Sequence, residues 1–184
     1  MNLSGPIFLT GFMATGKSKL GRMLALRLGR VLLDTDQLVE LRADKSIARI
    51  FAEDGEERFR QLERDAVATA ARRADAVVSL GGGAITREEN WRLMNDAGGV
   101  VVCLVADVET ILQRVSRKES RPLLAGLSLE EKRQKICQLL AERAPFYRRA
   151  DLEFTTDEAR TPEAAVEQLI DSLEQWIATY RSET

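Results

Sequence analysis

The chain has 184 residues, 45% hydrophobic and 30% charged, with 27 Lys and Arg against 29 Asp and Glu for a net charge of -2. That length and balance suit one well-buried domain, expected over residues 1–184, and exclude disordered, collagen-like and coiled-coil classes; near-neutrality gives no general attraction to nucleic acid or an acidic membrane. Histidine is absent, which removes His bases, Ser-His-Asp triads and His metal ligands and leaves Asp, Glu, Lys and the substrate itself for acid-base chemistry.

Met1 to Pro6 shows no basic region leading into a long apolar run, and no stretch approaches about 18 consecutive apolar residues, so residence in the cytoplasm is expected. Ile7, Phe8 and Leu9 read as a strand, and Leu20, Met23, Leu24 and Leu28 as the stripe of a helix. Between them Gly11-Phe12-Met13-Ala14-Thr15-Gly16-Lys17-Ser18 spells GxxxxGKS, the phosphate-binding P-loop. In that motif backbone N–H groups wrap the phosphates, Lys17 reaches the β- and γ-phosphates, and Ser18 offers a hydroxyl to Mg²⁺. The helix N-terminus behind it adds partial positive charge.

Gly29 reads as a helix stop, and Val31-Leu32-Leu33 as a second strand ending in Asp34-Thr35-Asp36. In an extended segment Asp34 and Asp36 would point the same way. Asp34 is expected to serve the metal through water and Asp36 to accept a hydrogen bond from an acceptor hydroxyl; a solvated Asx turn is the plainer alternative. From Gln37 to Ala74 the pattern is helical with a break near Asp54-Gly55, and Phe59, Leu62, Ala66 and Ala70 form the buried stripe. Arg60 and Glu63, three apart, share another face, either as a surface ion pair or as an Arg held ready for an anionic substrate.

Ala76 to Leu80 suits a buried parallel strand and runs into Gly81-Gly82-Gly83, where backbone could approach a ligand or simply turn. Thr86 with Glu89 reads as a capping box for a helix to about Ala97, and Val100 to Val105, the most apolar run, as a central strand. Asp107 caps the next helix toward Arg117. The segment from Val115 to Gly126 is polar, charged and closed by Pro122 and Gly126, a surface loop and a candidate lid over a phosphate site. Ser128 and Glu131 cap a long helix whose apolar stripe takes in Leu129, Ile136, Leu139, Leu140 and Tyr147. Arg143 falls on that stripe and must face an internal carboxylate or a bound anion. Leu152 to Thr155 forms the last strand, and Thr161-Pro162 starts a helix with a face of Val166, Leu169, Ile170, Leu173, Ile177 and Tyr180. Cys103 and Cys137 both sit among apolar residues and are expected as small core hydrophobes.

Strands alternating with helices predict an α/β fold, a three-layer α-β-α sandwich around a mostly parallel five-stranded sheet, with ligands at the strands' carboxyl ends. The motif set GFMATGKS, DTD at 34–36, GEERFRQLE at 55–63, GGG at 81–83, RPLL at 121–124 and ERAPFYRRAD at 142–151 resembles shikimate kinase in order and approximate spacing over nearly the whole chain. The resemblance implies a P-loop kinase with a mobile lid near 115–127 that phosphorylates the 3-hydroxyl of shikimate with ATP and Mg²⁺, on the route to chorismate and aromatic amino acids. It is expected to act as a monomer on ATP and shikimate, without nucleic-acid or membrane partners.

By position, the resemblance makes Lys17, Asp36 and Arg121 the catalytic set. It gives Gly11, Ala14, Thr15, Gly16, Lys17, Ser18 and Lys19 to ATP, with the lid residue Arg121 on its phosphates and Arg114, Arg160 and Pro162 flanking the adenine. Asp36, Arg60, Gly82, Gly83 and Arg143 fall to shikimate, and Ser18 and Asp34 to the metal. A gluconate kinase or other small-metabolite kinase of the same fold, or a nucleotide-binding module without turnover, are the rival readings. One position departs from the family's GxxGxGKS pattern: Ala14 stands at its middle glycine. Should that residue need a positive φ, Ala would carry strain of roughly 1 kcal/mol or more; an adjusted loop with retained activity is expected, and nucleotide affinity is the property the departure bears on.

Overall fold

The structure, a computed structural model, describes residues 4–117, 124 and 126–182. Five strands, β1 (Ile7–Gly11), β2 (Val31–Asp34), β3 (Ala76–Ser79), β4 (Val100–Val105) and β5 (Leu152–Thr155), form one sheet in the order β2-β3-β1-β4-β5. Every pairing is parallel, including the edges, so the sheet is wholly rather than mostly parallel. The centre belongs to β1; β4, the most apolar run, lies one place off it, between β1 and β5.

Parallel strands need crossovers, and seven of the eight helices described here supply them: α1 (Lys17–Leu28), α2 (Thr35–Ala43), α3 (Ile47–Glu53), α4 (Gly55–Ala71), α5 (Glu88–Asp96), α6 (Val108–Ser116) and α7 (Leu129–Tyr147); α8 (Pro162–Ser182) follows β5. Because successive strand side chains point to opposite faces, the interior strands are apolar on both. Ile7, Leu9, Val77, Val100, Val102 and Leu104 pack on Leu20 and Leu24 of α1 and Val166, Leu169 and Leu173 of α8. Phe8, Val78, Val101 and Cys103 face the other way, onto Val67, Trp91, Met94, Ile111, Ile136 and Leu139. Each such fully buried side chain stabilises by roughly 1.5–3 kcal/mol, which fixes the sheet as a rigid platform for its loops. A third cluster, Val39, Ile50, Phe59, Leu62 and Ala66, knits α2, α3 and α4 together beyond the β2 edge.

Several local expectations are corrected. The stretch from Gln37 to Ala74 breaks twice: at Asp54, and also at Asp44, whose φ of 51 ends α2 before Ser46 caps α3. Thr86 and Glu89 form no capping box; Thr86 closes a short 3₁₀ turn, Ala84–Thr86, donating its hydroxyl to Gly83 O at 2.7 Å, and Arg87 precedes α5. The Ser128/Glu131 box is present, but Leu129 beside it is 66% exposed and not part of the packed stripe. Cys103 is buried whereas Cys137 is exposed, one helical position after the buried Ile136. Among the described residues no helix is long and apolar enough to cross a membrane.

Candidate active site

With all strands parallel, the loops after β1, β2, β3 and β5 open on one edge of the sheet, and the chain turns in opposite directions on the two sides of β1. That reversal leaves a crevice where the P-loop emerges. A cleft of about 730 Å³ lies there, walled by residues 13–20 of the P-loop and α1, by Asp34, Asp36, Ser79, Gly82, Gly83 and Arg143 on one side, and by Arg114, Arg117, Thr156, Asp157, Glu158, Arg160 and Pro162 on the other.

The P-loop is shaped by its glycines and by one residue that is not glycine. Gly11 has φ 133, and a Cβ there would come within 2.2 Å of Leu104 O, so β4 excludes any side chain at this position. Gly16, φ 99, turns the chain into α1. Ala14 has φ 62, the left-handed region that the family's glycine would enter freely. Lys17 Nζ donates to Gly11 O at 2.7 Å and Phe12 O at 2.9 Å, which lays its ammonium across the loop.

Asp34 and Asp36 both line the cleft, but not as alternate residues of an extended strand. Asp34 ends β2 and caps α2, its Oδ1 accepting from the N–H groups of Asp36 and Gln37 at 3.1 and 3.4 Å, while Asp36 lies in the first helical turn. The other Asp34 oxygen accepts from Ser18 Oγ at 3.3 Å. Ser18 and Asp34 thus present adjacent hard oxygens, the donor type Mg²⁺ takes. Among the described residues no group of three or more Asp, Glu, Cys or His forms a metal cage, so an ion here would complete its shell with water and phosphate. The Asp36 carboxyl is pushed up from 3.8 to about 6, first by burial, then by the neighbouring charges of Asp34 and Glu63, with Lys17 pulling back.

Of the three glycines after β3, Gly81 and Gly83 make room for a side chain, while Gly82 lies at ordinary contact distance from one. A Cβ on Gly81 would stand 2.5 Å from Asp36 Oδ1, one on Gly82 3.5 Å from Arg143 Nη1, and one on Gly83 3.0 Å from Arg60 Nη1. Arg143 Nη1 donates to Gly82 O at 3.0 Å, and its guanidinium lies 5.8 Å from the centre of the Phe12 ring. A main-chain carbonyl, not a carboxylate, accepts that bond. Arg60 is drawn the other way: Nη1 donates to Glu63 at 2.9 Å, and Nε and Nη2 donate to Glu56. It sits behind Gly83 and lines a smaller, adjoining recess with Arg64 and Arg87 instead of the main cleft. Glu63 is 2% exposed, so the pair is not a surface bridge. Burial raises the Glu63 carboxyl and Arg60, Arg87 and Arg143 oppose the rise.

On the far side, Arg114, Arg160, Pro162 and Lys19 line the cleft. Arg160 is fixed by Asp157, Gln168 and Thr155 O, and Arg114 by Glu158, Asp157 O, Thr156 and Ala14 O. Arg121 lies outside the described residues, as does most of the expected lid. Of that segment, Val115 and Ser116 complete α6, and Leu124 is buried in the core. The sequence reading missed Ser79, Thr156, Asp157 and Glu158; the rule that ligands collect at the carboxyl ends of parallel strands could have pointed to the residues just after β5.

The profile of the shikimate kinase family matches residues 13–174. The chain is 44% identical over 178 residues to a shikimate kinase of Chlorobium chlorochromatii (strain CaD3), covering 94% of this chain and 93% of that one. Among solved structures it is similar to shikimate kinase from Bacteroides thetaiotaomicron, with TM-score 0.86, 36% identity, and coverage of 92% of this chain and 98% of that one. It is also similar to shikimate kinase from Acinetobacter baumannii in complex with shikimate, with TM-score 0.81, 36% identity, and coverage of 96% and 94%.

Proposed function

The chain belongs to the shikimate kinase family, whose members phosphorylate shikimate with ATP, and we infer that the cleft at the β1 edge performs this transfer on the 3-hydroxyl, releasing ADP. One observation carries the assignment of roles: the P-loop, an elevated carboxyl at Asp36 and the Arg143 guanidinium meet in a single cleft, with Gly81 leaving the room that Asp36 occupies.

Phosphoryl transfer asks for in-line placement and for compensation of charge spread over phosphate oxygens, with little covalent chemistry from the protein. The N–H groups of the P-loop and the α1 N-terminus receive the phosphates. Lys17, now bonded to loop carbonyls, swings its ammonium onto them. A magnesium ion bound by the Ser18 hydroxyl, and through water by Asp34, would supply further neutralisation at the β- and γ-phosphates. Arg143 takes the carboxylate of shikimate in a charge-assisted hydrogen bond, and Arg60, released from Glu56 but kept by Glu63, joins it from behind Gly83. With the ring so oriented, Asp36 accepts the hydrogen of the reacting hydroxyl; a carboxyl titrating at about 6 is ionised at neutral pH and still basic enough to take that proton as the phosphoryl group arrives. Arg160 and Pro162 flank the adenine, with the face of Arg114 against it, and the family resemblance assigns Arg121, outside the described residues, to the phosphates. Residues 1–184 act as one domain, as a monomer in the cytoplasm.

ADP release measured with Mg·ATP and no acceptor, shikimate or gluconate tests the reading. Stimulation by shikimate alone is expected. Stimulation by gluconate would replace the acceptor, and none by either would overturn the transfer itself.

A further inference from the structure

Ala14 is held in a conformation that its Cβ disfavours, φ 62. Among the described residues only Asp44 also combines a side chain with a positive φ, and Asp44 merely ends a helix. The carbonyls of the two peptide links that flank Thr15, those of Ala14 and of Thr15 itself, are both tied down by side chains from the opposite wall. Ala14 O accepts from Arg114 Nη1 at 3.1 Å, and Thr15 O, at 3.0 Å, is the nearer of two acceptors for the single Thr156 hydroxyl hydrogen, the other being Val105 O at 3.2 Å. The two donors are themselves joined, Arg114 Nη1 donating to Thr156 Oγ1 at 3.0 Å.

Neither anchor is loose. Arg114 Nε donates to Glu158 at 2.7 Å and Nη2 to Asp157 O at 3.0 Å, so the edges of the guanidinium are engaged. Thr156 is 6% exposed, and its N–H donates to Val105 O at 2.7 Å, which continues the β4–β5 pairing and fixes the hydroxyl relative to the sheet. Carbonyl and N–H of one trans peptide point in opposite directions. Anchoring Thr15 O on Thr156 therefore turns the Gly16 N–H the other way, away from Thr156. Anchoring Ala14 O leaves the Thr15 N–H facing Phe12 O, where it bonds at 3.4 Å.

We propose that Thr156, acting with Arg114, is a positioning residue for nucleotide phosphate binding: it braces the P-loop in its phosphate-receptive shape and thereby supports alanine at position 14. The proposal rests on the reading of this cleft as the ATP site. It assigns Thr156 no contact with the substrate; its effect passes through the loop carbonyls.

Steady-state kinetics of the full chain with shikimate and ATP test it through Thr156→Val, which keeps the shape and removes the hydroxyl. Losing the bonds to Thr15 O and Arg114 should raise the ATP KM roughly five- to fiftyfold, with shikimate KM and kcat within about threefold. Thr156→Ser should restore the ATP KM, and Thr156→Ala provides the same measurement if Val does not pack. In an Ala14→Gly background the left-handed residue needs no support, so Thr156→Val should raise the ATP KM by less than about threefold. A Thr156→Val enzyme with lowered melting temperature but wild-type ATP KM would reduce Thr156 to a structural contact and overturn the proposal. An equal rise in both backgrounds would overturn it too. Failure of the wild-type protein to turn over shikimate would instead refute the underlying assignment of the cleft.

Discussion

Replacing Asp36 with Asn should make the protein more stable while removing its activity. In the unfolded chain this carboxyl ionises near 3.8, and in the folded one only at about 6, because burial and the charges of Asp34 and Glu63 disfavour the anion. Between these values the unfolded state sheds a proton that the folded state keeps, so stability falls as pH rises from about 4 to about 6 and the loss is constant above. The interval from 3.8 to about 6 corresponds to about 3 kcal/mol at neutral pH. Water reaching the half-buried carboxylate trims this to about 2 kcal/mol. Asn carries no charge to desolvate and should recover that amount, about 4–8 °C in melting temperature for a chain of this size. Unfolding of both proteins followed at about pH 4, 5, 6 and 7 should show curves nearly coincident at the acid end, separating through about pH 5 and parallel above about 6. Turnover with shikimate should drop at least about 100-fold, since the amide cannot take the hydroxyl's proton. A stability gap that is the same at pH 4 and 7, or an Asn variant less stable at pH 7, would refute the argument that this carboxylate is held at an energetic cost for function.

Arg143→Ala removes a guanidinium whose bond to Gly82 O aims it into the cleft; shikimate KM should rise about 10–100-fold with ATP KM within about twofold, and a fall in kcat at unchanged shikimate KM would contradict its assignment to the acceptor. Native labelling with a thiol reagent should modify Cys137 rapidly and leave Cys103 untouched until unfolding, because Cys137 is exposed while burial pushes the Cys103 thiol up to about 12. Equal labelling of both before unfolding would show that the β4 core opens readily.

Where sequence reasoning failed, it failed at boundaries and at partners. Periodicity marked Leu129 as apolar-face, yet it is 66% exposed: a stripe is buried only where another element packs on it, which spacing does not reveal. Cys137 sits next to the buried Ile136, and a 100° step around a helix is enough to move it to solvent. Alternation placed Asp34 and Asp36 on one side for the wrong reason: the Asp34 carboxylate captures N–H groups of the following residues and starts a helix there. Arg60 and Glu63 were legible as a pair from their spacing, whereas the burial that makes Glu63 a fixed anchor depends on α2, β3 and α4 coming together.

The sequence by itself determined the strand, glycine loop and helix of the phosphate site, the alternation that makes a doubly covered parallel sheet, and the residue types able to bind phosphate and carboxylate, because these follow from spacing and local backbone chemistry. Tertiary structure alone decided which carboxyl would be raised, which arginine would face the cleft and which would turn behind Gly83, and that Thr156 and Arg114 would reach back to the carbonyls of Ala14 and Thr15. Those outcomes depend on desolvation and on contacts between segments 46 to 141 positions apart, the longest being that between Thr15 and Thr156. No local pattern encodes such distances; they exist only once the strands have paired.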